Sequence, residues 1–172
     1  MNQQLIAQLE AEASRANTDF IANWASTNAE RIANLVDIAL NADGQTAARA
    51  LWALEKVAAA HHNILLPHIP AFVAALPRFT FSGMRRIACK ILMLTDVPQK
   101  FDGPIVDFCF RMLETPDEPI GVKANCMSLI ASRLADYPEL KPELKAILAD
   151  ILTNIQSSGF KVRAKHLKLL ND

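Results

Sequence analysis

Apolar residues along the chain recur at helical rather than strand spacing. Ile105, Phe108, Cys109, Met112 and Leu113 stand at i, i+3, i+4, i+7 and i+8, and Leu144, Ile147, Leu148, Ile151 and Leu152 repeat the pattern. That spacing puts all the apolar side chains of a segment on one stripe of a helix. Comparable stripes lie in 32–40 and 71–76. A helix that is apolar on one side needs a neighbour to cover it, so these segments predict an all-α packing of helix on helix. Between them stand residues with a physical reason to interrupt a helix. Asp43-Gly44, Ser82-Gly83, Asp102-Gly103-Pro104 and Ser158-Gly159 each offer a capping oxygen ahead of a flexible or φ-fixed residue, and Pro116, Pro119 and Pro138 sit outside or just inside helix starts. The joints are short, as antiparallel neighbours require.

A longer period overlies the helical one. Segments 45–54, 83–92, 121–130 and 161–170 share one plan, a basic residue near the start of an apolar helical pattern, and Arg49, Arg85, Lys123 and Arg163 recur at spacings of 36, 38 and 40 residues. With the stripes between them, each copy reads helix A, tight turn, helix B, a helix-pair repeat of about 40 residues. Residues 29–170 hold the repeats. Residues 1–28 carry one or two further helices, with Leu5, Ile6 and Leu9, then Phe20, Ile21 and Trp24, on their apolar sides. These are predicted to cap the open N-terminal end of the stack. No linker interrupts the chain, so 1–172 reads as one domain.

Asp117 precedes Lys123 by six positions, Val122 stands directly before that lysine, and Cys126 and Ile130 follow as a small and an aliphatic residue; Asp43 and Arg49 have the same six-residue separation. This resembles the HEAT/armadillo-like repeat family, in which an Asp in the turn within the repeat precedes a Val-Arg at the start of helix B. Two copies depart from it, with Phe79 and Ser157 at the Asp position, and Trp52 and His166 occupy the site that prefers a small residue. The resemblance implies an α-solenoid of about four helix pairs, a right-handed superhelix whose B helices line a concave face where such proteins mostly hold proteins or peptides. A bacterial branch of similar architecture is a DNA alkylpurine glycosylase. Asp107 and Arg111 make an i, i+4 pair, but on a helix A, so that branch's catalytic Asp does not carry over.

With 51% apolar and 21% charged residues the chain lies far from the disordered class, and five glycines with 6% aromatics argue against a turn-rich β fold. No apolar run is long enough to span a membrane and the start lacks a basic leader pattern, so the expected setting is cytoplasmic, with no membrane partner. Cys89, Cys109 and Cys126 lack C-x-x-C spacing and read as reduced, buried thiols. His61, His62 and His68 lack the spacing of a helix-borne metal pair, and His61 and His62 read as a helix end. No metal or cofactor is expected. With no G-x-S-x-G, phosphate loop or H-E-x-x-H, the reading favours a non-enzyme and assigns no catalytic residue.

Charge is balanced overall, with 18 basic and 18 acidic residues, but residues 1–80 hold five Lys/Arg against seven Asp/Glu and residues 81–172 hold thirteen against eleven. The recurring row of Arg49, Arg85, Lys123 and Arg163 reads first as structural, a ladder with Asp43 and Asp117 that also satisfies turn carbonyls; a positive stripe for an acidic surface is the alternative. Arg85, Arg86 and Lys90 offer surplus charge on one helix and are candidate binding residues. Lys161, Lys165 and Lys168 fall on one face of the last helix, with Val162, His166, Leu169 and Leu170 opposite, and are the other candidates. A solvated cap explains them as well as a ligand does. The favoured function is a scaffold that binds a protein or peptide, self-association included; a nucleic-acid-binding protein is the alternative.

Overall fold

The computed structural model describes residues 2–154 and 157–170, and among them are ten α-helices and no strand. This is the all-α class that the apolar spacing predicts. Contacts gather into two compact units, Met1–Pro98 and Gln99–Asp172.

The first unit holds α1 (Gln3–Ala11), α2 (Arg15–Ser26), α3 (Ala29–Asn41), α4 (Gly44–Ala60), α5 (Ile69–Ala75) and α6 (Ser82–Met93). Its first three helices begin where a side-chain oxygen takes an otherwise unbonded backbone N–H: Asn2 accepts from Leu5 at 3.1 Å, Ser14 from Asn17 at 3.1 Å and Asn28 from Glu30 at 2.8 Å. Helices α2, α3 and α6 all pack on α4, α1 rests on α2 and α4, and α3 touches α5. A row of B helices, α2, α4 and α6, thus lies beside a row of A helices, α3 and α5. With neighbours on several sides, α4 buries Ala47, Ala50, Leu51, Ala53, Leu54, Val57 and Ala58, its alanines letting other backbones come close. Gly44 opens α4 at φ +55°, a conformation that costs glycine nothing. The end of α1 is tied down by side chains: Asn17 Nδ2 donates to the carbonyls of Gln8 and Glu12 at 2.9 and 3.0 Å, and Arg49 Nη1 donates to that of Leu9 at 2.8 Å.

The second unit holds α7 (Asp102–Glu114), α8 (Ile120–Ala131), α9 (Leu140–Asn154) and α10 (Ser158–His166). α7 lies along α8, α9 touches both, and α10 touches α8. Of the predicted stripes, Ile105, Phe108, Cys109, Leu113, Leu144, Leu148 and Ile151 are buried, and Met112, Ile147 and Leu152 are half-buried. All three cysteines are buried thiols, and those of Cys109 and Cys126 lie within 4.8 Å of one another. A buried ion pair fastens the start of α7 to the turn after α8. Arg133 Nε donates to Asp102 Oδ1 at 2.6 Å, each side chain 9% exposed, while Arg133 Nη1 donates to the Leu129 carbonyl at 2.8 Å.

Two expectations from the sequence are corrected. None of the oxygens of Asp43, Ser82, Asp102 and Ser158 makes a helix-capping bond: Asp43 stands at the cap position without one, α6 and α7 are preceded by Phe81 and Phe101, and Ser157 caps α10. The last helix also ends earlier than its lysines suggest. Phe160 and Ala164, four apart, set the buried side of α10, so Val162 is 53% exposed and His166 lies exposed too. The helix stops at His166 in a Schellman turn, where Lys168 N–H meets the Lys165 carbonyl at 2.9 Å and Leu169 N–H the Ala164 carbonyl at 3.0 Å. Leu169 is thereby buried, and Lys168 takes a left-handed φ of 55° outside the helix. The i, i+4, i+7 face of Lys161, Lys165 and Lys168 is therefore not formed. Because a Cβ is strained at this φ, Lys168→Gly is expected to raise stability by about 0.5–1 kcal/mol. A urea-unfolding midpoint that stays put or falls would show that position 168 carries no such strain.

Candidate functional site

In the first unit α4 and α6 leave between them an open groove of about 400 Å³, lined chiefly by Gln45, Arg49, Trp52, Glu55, Arg86 and Ile87. Its floor is apolar because α4 presents Ala48 and half-buried Trp52, and α6 presents half-buried Ile87. Two arginines from successive repeats stand in its lining. Arg49 is half-buried and held by the Leu9 carbonyl, and beside it Thr46 Oγ1 donates to Glu10 Oε1 at 2.6 Å, a second tie between α4 and α1. Arg86 is exposed. Glu55 is 7% exposed, and its carboxylate is taken by the ammonium of Lys90, which joins α4 to α6.

Of the candidate binding residues, Arg86 lines this groove, Lys90 meets it only through its pair with Glu55, and Arg85 is turned to other partners. Arg85 Nη1 donates to the carbonyls of Phe79 and Thr80, both at 2.9 Å, so it closes the turn before α6. The rest of the recurring basic row also bonds within the fold, to neighbouring helices. Lys123 is 3% exposed and its Nζ donates to the Leu113 carbonyl at 2.8 Å, fastening α8 to the end of α7. Burial holds its ammonium below the usual lysine range, against the opposing pull of Glu118, Asp150 and Asp117. It lies at a groove of about 530 Å³ between α7 and α9 that Glu114 and Asp150 also line. Arg163 Nη1 donates to Asn125 Oδ1 at 3.2 Å. Asp43 and Asp117 are exposed at their turns. On α10, Lys161 and Lys165 are exposed, with exposed Val162 among them.

The histidines of 61–68 take separate settings. His61 ends α4, His62 Nδ1 lies 3.1 Å from the Leu94 carbonyl, and burial holds His68 below the usual histidine range. Trp24 is covered by Arg31, whose guanidinium carbon sits 4.4 Å from the ring centroid.

Neither Trp52, which the repeat pattern marks only as a departure from a small residue, nor Glu55 is among the binding residues that the sequence suggests. The available signal was the repeat itself: Glu55 and Lys90 are 35 residues apart, close to the 36 that separate Arg49 from Arg85, so the two occupy neighbouring heights on successive B helices. Opposite charges one repeat apart are what such stacking brings together.

A family model described as a HEAT repeat domain matches residues 5–169. The match takes in α1 and α2 as well as the later helix pairs. Comparison with curated proteins and with solved structures found no match.

Proposed function

Because the chain belongs to the HEAT repeat domain family, whose helical repeats serve as interaction scaffolds, we propose that it is a non-enzymatic module that binds a protein or peptide along the B-helix surface, with the α4–α6 groove as the contact site. The observation that carries this reading is the groove itself: an aromatic and an aliphatic side chain left half-covered between two B helices, in the company of two arginines. Half-covered Trp and Arg side chains in a recess are the residue types that most often dominate binding energy at interfaces. Three buried thiols suit a reducing, cytoplasmic setting.

Nucleic-acid binding drew on a three-lysine face that α10 does not form, Lys168 standing outside the helix.

The test is capture of partners by the full chain and by its Trp52→Ala and Ile87→Glu variants, followed by titration of the captured partner. Trp52→Ala is expected to weaken binding by about 2 kcal/mol or more, the level of an interface hot spot. A partner held equally by all three proteins would remove the groove as the site.

A further inference from the structure

Resting on that reading, we infer that the α4–α6 groove selects an acidic peptide segment, one in which carboxylates flank an apolar side chain. The apolar side chain would lie on Trp52 and Ile87, which are half-buried and so already partly desolvated. Arg49 is suited to a carboxylate. Its guanidinium carries five N–H donors in a planar fork, and the bond from Nη1 to the Leu9 carbonyl fixes the fork in place while using one of them. A pre-positioned fork gives up less side-chain freedom on pairing with a carboxylate than a loose one does. Arg86 brings a second guanidinium from the next repeat.

Glu55, the acid in the lining, does not oppose an anion, because the Lys90 ammonium already holds its carboxylate. Of the three charged residues in the lining, Arg49 and Arg86 are basic and Glu55 is acidic, a formal charge of +1. A basic peptide would set its charges against two guanidiniums. A nucleic-acid backbone needs a row of cations matched to successive phosphates, whereas here the positive groups border an apolar floor of about 400 Å³, room for one or two side chains.

The experiment selects peptides from a random displayed library on the immobilised full chain and measures the enriched ones in solution. Trp52 fluorescence is the readout, in a Trp24→Phe background that leaves Trp52 as the single tryptophan. The expected result is enrichment of Asp/Glu beside Leu, Phe or Trp, with binding that weakens as salt rises. Affinity should fall by about tenfold or more in Arg86→Glu and in Arg49→Gln, since each puts repulsion or a lost pair opposite a carboxylate. Arg86→Glu changes an exposed residue and keeps the test valid if Arg49→Gln loosens α1. Basic or uncharged peptides that need Trp52 would overturn the acidic preference and leave the binding module standing. A single-stranded oligonucleotide that displaces the selected peptides and binds tighter would overturn the peptide assignment. Failure to enrich any peptide, or enrichment indifferent to Trp52→Ala, would overturn both readings.

Discussion

Replacing Arg133 by methionine is expected to cost about 3–5 kcal/mol of folding stability, because it leaves the carboxylate of Asp102 buried beside an apolar chain. Asp102 opens α7 and its side chain is 9% exposed, so water does little to solvate it once the guanidinium at 2.6 Å is gone. The Leu129 carbonyl loses a donor in the same change. The pair as a whole need not be worth that much. Removing both charges, Asp102→Leu with Arg133→Met, is expected to recover most of the loss, since the desolvation of two ions disappears with their attraction. Urea unfolding of the four proteins of this cycle measures both quantities. A single-mutant loss of about 1 kcal/mol or less, the level of an exposed pair, would mean that water reaches the bridge.

Leu129→Ala is the second large effect, at about 2–5 kcal/mol. Leu129 is 1% exposed on α8, the helix that α7, α9 and α10 all touch, so the space it vacates has packed elements around it. The spread in the expected cost reflects how far those neighbours can close in. Lys165→Ala on the exposed side of α10 is expected to change stability by no more than about 0.5 kcal/mol. Thermal unfolding of the two variants side by side is decisive, for equal shifts would contradict the helical register of the second unit.

The helices and their pairing were legible because apolar periodicity is a local signal that burial enforces. Ile105, Phe108 and Cys109 are buried because they share one face of α7, and the recurrence of Arg49, Arg85, Lys123 and Arg163 marks successive B helices, α4, α6, α8 and α10. What escaped was decided by geometry that no short window contains. The end of α10 is a Schellman turn whose left-handed position holds a lysine where glycine would have announced it. Asp102 resembled a cap but instead meets Arg133, 31 residues away. Trp52 follows the apolar pattern of α4, yet it borders a groove because α6 does not cover that side of it. Its apolar character is equally good evidence for core and for a binding floor. Only the packing of the neighbouring helix separates the two.

The Arg49 guanidinium belongs to two structures at once: it lines the groove, and it donates to a carbonyl in the last turn of α1. If the groove binds its ligand as proposed, occupancy and attachment of the first helix are thermodynamically linked through this guanidinium. A ligand that drew the guanidinium off Leu9 would loosen the N-terminal turn, and loss of α1 would change the affinity for that ligand by the same factor, because linkage between two equilibria is reciprocal. On the proposed reading, α1, remote from the groove floor in sequence, sets part of the affinity through Arg49 alone.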